Sequence, residues 1–523
     1  MVGRILIRVL VAGCAAIWAQ QACGYRMELG RHPAELGISA SVREVIEENR
    51  ATQHERTQGK LRVSPRLDWS PGLRLAGSIV GTVGGPTMQA RRSGFFHWRQ
   101  VFQNRSPALD LEEIYLDGAW NDFDFRIGKQ RVAWGKLDRF SPVDVFNTLA
   151  YTDPFLLEEG ERRIGTPSVR ATYNLPDSVG FQELRWSVVW APLYLPYRFP
   201  DARCELDFSG RSACIAERWF PPAAVPPSTF VIPSKLLPGS GAGGLPDVSV
   251  PLTFRVRNEA PRATLRDGSF GTRLAGRVSD VDTSLYYFHG YDSQTAFLLE
   301  AWATGTPDAN PANPLGVRDV VGHAFLRPVF RAIDLWGADA AYSWENLTFR
   351  GDIAFVSGRP FARDIRSLVA DPTAIAPELR RALAALARGA GATPVVLPDS
   401  FVIRNAVEWG GGMDLLVRGW LFMLQVNQTD VLSNSVRLLI RDIETRVLLT
   451  VRKNFLAERL QGNLLGGYGI DSDYSFLRPR LTYKWNDYLS TEVGYLFIAG
   501  RRQSLIGQYR RNDQGWLQVS LRF

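Results

Sequence analysis

The chain has 523 residues, a formal net charge of +8, 22% charged and 45% hydrophobic residues, and 15 Trp with 16 Tyr. That length exceeds one ordinary soluble core and predicts two to four domains of about 100–200 residues, unless a sheet closes around a lumen. The positive balance comes with no arginine-rich tail or nucleic-acid module, which excludes nucleic acid as a partner and points to an anionic solute or a lipopolysaccharide surface.

At the start, Arg4 and Arg8 precede the apolar run "VLVAGCAAIWA", followed by "QQACG" and the polar "YRMELG". The pattern predicts a secretory signal peptide over 1–24, cleaved after Gly24, with cleavage after Ala19 as the competing site. "VAGC" around Cys14 resembles a lipidation box, but Arg8 leaves too short an apolar run ahead of it. No later stretch reaches the roughly 20 apolar residues that a membrane-spanning helix needs. The mature chain, 25–523, therefore either dissolves in the periplasm or crosses a membrane as strands.

"LGISASVR" at 36–43 reads as a first strand. From residue 58 onward, runs of about ten residues alternating in polarity recur between turns. In "LRVSPRLDW", Leu61, Val63, Pro65, Leu67 and Trp69 oppose Arg62, Ser64, Arg66 and Asp68; in "LRPRLTYKW", Leu477, Pro479, Leu481, Tyr483 and Trp485 oppose Arg478, Arg480, Thr482 and Lys484. Polar faces this basic do not build a sandwich core. Eight short turns, at "WSPGL", "WNDF", "NLPDSVG", "SDVD", "WENL", "VRGW", "RKNF" and "WNDYL", alternate with long connections near 85–107, 133–164, 195–265, 292–333, 359–402, 429–440, 469–473 and 500–510. Trp69, Trp120, Trp344 and Trp485 stand just before short turns and Trp420 just after one, as in the aromatic girdle of a membrane interface.

This organisation predicts an all-β fold, a single transmembrane antiparallel β-barrel of about 18 strands, or 16 if two weak hairpins drop out, with short turns facing the periplasm. The terminal "WLQVSLRF" places Leu517, Val519, Leu521 and Phe523 on one face, and closure against the first strand gives that face lipid and the other a wet lumen. Cys204 and Cys214, the two cysteines left after cleavage, lie ten residues apart and predict a loop disulfide in an oxidising compartment, with a metal pair as the weaker reading. The stretch "PELRRALAALAR" spaces Leu379, Leu383 and Leu386 along one helical face inside loop 359–402, either as a surface cap or as an internal plug. The Pro-rich loop 195–265 reads as a cover or a flap.

Loop 133–164 carries Asp138, Asp144, Asp153, Glu158, Glu159 and Glu161 beside Lys136, Arg139, Arg162 and Arg163. Folded inward, it would narrow the lumen electrostatically, acids on one wall and strand arginines on the other; folded outward, it is an outer loop held by ion pairs. Lumen-facing positions lean basic, with Arg62, Arg66, Arg126, Arg170, Arg185, Arg273, Arg277, Arg350, Arg452, Arg478, Arg480 and Arg522 against fewer acids such as Asp339, Asp352 and Glu408. Anions are favoured by the surplus alone, since individual Arg and Asp/Glu also pair across strands to stiffen a wall.

The segment from Leu111 to Phe155 resembles porin-like Gram-negative outer-membrane proteins, including alginate-export-type channels and an uncharacterised family close to them. The matching positions are Glu112 or Glu113, Tyr115, Leu116, Arg126, Gly128, Gln130, Trp134, Gly135, Asp144 and Asn147; where family members commonly have Asn-Pro, this chain has Asn147-Thr148. The aromatic Phe523 resembles the signal read by the barrel-assembly machinery. The resemblance implies a channel-type barrel in the outer membrane and leaves the solute open. It is joined by the residue-level expectation that Arg126 and Gln130, opposite loop 133–164, set selectivity.

Enzymatic readings find little. His32, His54, His97, His289 and His323 are scattered, with no metal or nucleophile spacing. An energy-coupled receptor would need a plug domain before the barrel, and strands begin too early for one. The sequence thus predicts a passive channel for a small, anionic or amphiphilic solute, without a cofactor, in contact with outer-membrane lipid and lipopolysaccharide, as a monomer or trimer. Two alternatives stand beside it: a sealed surface binding or structural barrel closed by 195–265 and 359–402, and a lipid hydrolase at the rim using His289.

Overall fold

In a computed structural model, the structure describes residues 25–29, 32–47, 54–83, 102–103, 109–151, 155–156, 159–177, 180–195, 197–200, 202–206, 212–216, 221–233, 247–257, 268–292, 296–310, 313, 315–365 and 372–522. The expected signal peptide over 1–24, Phe523, and most of the connection 85–107 lie outside the described residues.

The largest sheet has 19 strands, one of which, Tyr25–Leu29, only folds back on the first long strand in a tight hairpin. The others close an antiparallel barrel of eighteen: β1 His32–Glu47, β2 His54–Ser70, β3 Leu73–Val83, β4 Leu109–Trp120, β5 Phe123–Gln130, β6 Thr166–Asn174, β7 Gln182–Ala191, β8 Ser269–Val278, β9 Val281–Tyr291, β10 Ala332–Trp344, β11 Leu347–Ala362, β12 Phe401–Val417, β13 Trp420–Val431, β14 Ile443–Phe455, β15 Leu460–Gly469, β16 Tyr474–Lys484, β17 Leu489–Gly500 and β18 Gln514–Arg522. Each pairs with its neighbours in sequence, and β18 returns to β1 from Ser39↔Arg522 to Glu47↔Gln514. Closure gives each of the eighteen barrel strands two neighbours, so the amphipathic terminal strand finds a partner on both sides.

Alternation sorts the two faces. On β11, Phe349, Ile353 and Phe355 are exposed on the outside, while Asp352 between them is buried on the inside. The interface tryptophans Trp69, Trp120, Trp344, Trp420 and Trp485 are 36–72% exposed beside the short turns, forming the aromatic ring of a barrel set in hydrocarbon. Among the described residues no helix is long and apolar enough to cross a membrane.

The turn residues account for the tight end. Pro71-Gly72 places Gly72 at φ +87°, where a Cβ would meet the Ala119 carbonyl oxygen at 2.9 Å. Asn121, Ser279, Glu345 and Arg418 take φ of 48–54° in two-residue hairpins whose twist matches the strands. One turn sits further along than its sequence suggests: β14 and β15 are joined at 456–459, with Leu456, Ala457 and Glu458 all at positive φ, rather than at "RKNF".

At the other end, three long connections fold together instead of forming separate flaps. Ala202–Leu206, Ser212–Ala216, Thr229–Ile232 and Val248–Val256 come from the β7–β8 connection, Ala296–Pro307 and Val317–Val329 from β9–β10, and Thr393–Val395 from β11–β12. They build a second sheet, including a parallel pairing of Leu252–Val256 with Gly322–Leu326. The helix Pro372–Ala387 lays Leu379, Leu383 and Leu386 against it, at the spacing read from sequence, over a core of Ile232, Phe254 and Leu326. Cys204 and Cys214 occupy directly opposed positions on paired strands.

Candidate functional site

The connection 131–165 between β5 and β6 runs across the barrel. Its start is fastened to β9, where the Gly135 N–H donates to the Tyr286 hydroxyl at 3.3 Å. On β11 the Asp352 carboxylate accepts from the Lys136 N–H at 3.0 Å, the Leu137 N–H at 3.3 Å and the Ser141 hydroxyl at 2.6 Å. On β13, Asn427 donates to the Phe140 carbonyl at 3.1 Å and Gln425 to that of Arg139, while Arg446 of β14 lies over the Phe140 ring. A segment leaving β5 can meet these inward side chains, up to nine strands away, only through the lumen. Asp352 is the sixth residue of the 16-residue β11, so contact is made well inside the wall.

Small residues on the wall permit that approach. A Cβ on Gly271 would lie 2.6 Å from the Trp134 and Phe146 rings, on Gly337 2.5 Å from Val143, and on Gly410 2.5 Å from Leu137. Gly135 itself sits at φ +90°, and a Cβ there would strike Ser141 and Asp352. The returning half seats Leu156 among Val45, Leu448, Leu465, Phe476, Leu496 and Trp516, and Glu161 meets Lys60 at 3.1 Å.

Several residues read from sequence as lumen or constriction groups serve to hold this connection. Gln130 is fully buried and donates to the carbonyls of Arg126 and Ser168, both at 3.1 Å, which fastens the end of β5 to β6. Asn147, 2% exposed, bonds the backbone of Val132 in both directions and closes the first half of the crossing, 132–147, into a loop. Trp134 is buried against Phe146 and Tyr286, and Asp144 is engaged by Arg163 at 2.8 Å. Glu113 accepts from the Arg131 N–H at 2.8 Å, and Arg478 donates to the Phe155 carbonyl. Arg62 forms a forked pair with Glu112, Arg480 lies 3.6 Å from Glu492, and Arg66 lies 3.8 Å from both Glu35 and Asp68. Asp138 is half exposed and meets Arg350 at 2.9 Å; Arg350 also contacts Asp414. Asp153 and Glu158 lie outside the described residues.

Between the crossing and the short turns lies a cavity of about 1150 Å³. Its walls carry Arg74, Arg126, Lys136, Arg170, Arg185, Arg273 and Arg277 against Asp68, Asp117, Asp124, Glu183 and Asp282. Arg126 is forked to Asp117 at 3.0 and 2.9 Å and lies over Tyr115, its centre 4.1 Å from the ring. The anchor Asp352 and the glycine seats had no local signature, because each partner lies on a distant part of the chain. Among the described residues no group of three His, Cys, Asp or Glu could hold a metal ion.

A sequence family described as "Protein of unknown function (DUF1302)" matches residues 81–513. The chain belongs to that family. The match takes in the motif segment Leu111–Phe155 whole, together with the crossing and the second sheet. No curated protein matches the chain in sequence. Solved structures similar to this family member include Acinetobacter baumannii OccAB4, at 8% identity and a TM-score of 0.43 over 95% of this chain and 98% of that one. Pseudomonas aeruginosa OccK5 (OpdH) aligns at 10% identity and 0.42 over 94% and 98%, and Salmonella typhi OmpF, in complex with daunomycin, at 9% and 0.39 over 95% and 100%. The barrel assignment rests on the strand pairing itself.

Proposed function

We propose that this barrel is an outer-membrane channel that passes a small anionic or amphiphilic solute by diffusion. The observation that supports it most is the crossing 131–165, held by buried bonds inside an eighteen-stranded wall, with a water-accessible cavity beneath it in which seven cationic side chains face five acidic ones. A barrel this wide needs an internal narrowing to discriminate among small solutes, and side chains at that narrowing set the field. In this reading Arg126, Arg170 and Arg350 face the path, whereas Gln130 and Asn147 hold the loop that shapes it. Cys204 and Cys214, opposed across a strand pair, would be joined as a disulfide in that oxidising compartment.

A second reading is a sealed barrel, favoured by one contact. The segment Pro222–Ala224 of the β7–β8 connection reaches the β17–β18 connection, where the Ala223 N–H donates to Gln508 at 3.1 Å. The β7–β8 connection therefore reaches across to the β17–β18 connection on the far rim. Liposome swelling separates the two: reconstituted protein should admit small organic anions faster than sugars of equal size, and no swelling with any solute would favour the sealed form. For a rim hydrolase, the one hydrogen bond of the His289 ring goes to Asp334, at 2.9 Å, with no serine or cysteine bonded to it among the described residues.

A further inference from the structure

We propose that the β6–β8 wall of the cavity holds a binding site for a doubly charged tetrahedral oxyanion, the phosphate or sulfate group of a solute or the free ion. The inference rests on the channel reading above and deepens it. At its centre Thr172 of β6 and Ser187 of β7 stand directly opposite each other, their hydroxyls 2.9 Å apart. Arg170 is the next inward residue along β6, Arg185 the next inward residue along β7 in the other direction, and Arg273 of β8 stands opposite Ser187. All five line the cavity. Strands lie roughly 5 Å apart and same-face neighbours roughly 7 Å along a strand, so three guanidinium groups can close on one ligand above the hydroxyl pair.

The charges there are unbalanced. Arg74, Arg126 and Arg277 in the same cavity are each paired with a carboxylate. Arg170, Arg185 and Arg273 form no ion pair among the described residues; Arg273 donates to the Ser284 hydroxyl at 3.2 and 3.0 Å. The one acid beside the hydroxyl pair is Asp124, opposite Thr172, which accepts from Asn174 at 3.0 Å. Over the whole cavity, seven cationic side chains against five acidic ones leave a surplus of two, which matches a dianion. Arg170 also stands directly opposite Arg126, a like-charge placement in which the nearby carboxylate of Asp117 is already forked to Arg126. Hydroxyl donors beside forked guanidiniums suit an anion with several oxygens, where a halide would use the charge alone.

The test is calorimetric titration of inorganic phosphate, at pH 8 and low salt, into the mature protein folded in detergent. The expected result is saturable one-to-one binding, competed by sulfate and not by chloride at equal ionic strength. Arg170→Gln with Arg273→Gln should weaken it at least tenfold and Ser187→Ala about threefold, while Arg437→Gln, on a distant connection, leaves it unchanged. Heat-modified migration on gels shows whether each variant is folded. Absence of saturable binding to the wild type, equal affinity in the double variant, or equal competition by chloride overturns the site. A barrel that conducts without binding phosphate defeats this inference alone; one that binds phosphate without conducting defeats the channel reading and leaves the site standing.

Discussion

Asp352 on β11 holds the backbone N–H of Lys136 at 3.0 Å, across 216 residues of sequence and the interior of the barrel. With the bonds from Leu137 and Ser141 it is the principal anchor of the crossing. Asp352→Ala leaves two backbone donors without partners, at about 1–3 kcal/mol each. The expected outcome is a several-fold larger single-channel conductance and new protease cleavage within 131–165, in a barrel that still resists unfolding by detergent.

The glycine seats make a complementary prediction from the wall side. Gly271→Val forces a branched side chain into the Trp134 and Phe146 rings, 2.6 Å from where a Cβ would sit. Overpacking of this kind costs about 1–3 kcal/mol. The crossing should shift, read as a change in tryptophan emission and in conductance. Gly411→Ala, whose Cβ would meet nothing within 4 Å, should change neither.

Arg359 of β11 is 1% exposed and lies between Asp292, just past the end of β9, at 2.9 Å, and Glu408 of β12, at 2.6 Å. Removing one partner of a buried ion group costs about 3–5 kcal/mol, because the remaining charge is left desolvated. Arg359→Ala should lower the melting temperature of the folded form measurably. Arg359→Met combined with Asp292→Asn and Glu408→Gln should recover most of that loss.

The second sheet has a pH dependence of its own. His323, outside the membrane-spanning strands, has its imidazole bonded to Thr253 at 2.8 Å and Thr304 at 2.9 Å. Burial, and then the nearby Arg255, holds its pKa below the ordinary histidine value. The folded state thus favours the neutral ring. Its contribution is complete above the unfolded pKa of about 6.5 and is lost as pH falls from there towards the depressed folded value. Limited proteolysis of the second sheet should accelerate between neutral pH and pH 5 in the wild type and lose that acid sensitivity in His323→Gln.

How much of this was legible in the sequence follows from the range over which each feature acts. Strand alternation and turn residues are local, so "LRPRLTYKW" and the tryptophan-flanked turns disclosed the barrel, its strand number and its lipid face. Ala296–Pro307 and Val317–Val329 lay inside a connection read as a loop; which sheet a strand joins depends on the parallel partner at Leu252–Val256, and no local pattern states that. Gln130 and Asn147 show the same limit within the site. A polar side chain on an inward position looks like a lumen group until the backbone it bonds, at Ser168 or Val132, is placed beside it.

The central claim is a hydrated path with a positive bias, and the reversal potential of the reconstituted barrel in a planar bilayer under a KCl gradient tests it most directly. The account predicts open channels whose potential shifts towards that of chloride, with the shift reduced when Arg170 and Arg273 are replaced by Gln. A potential on the potassium side, or the absence of any conductance in correctly folded protein, would contradict it.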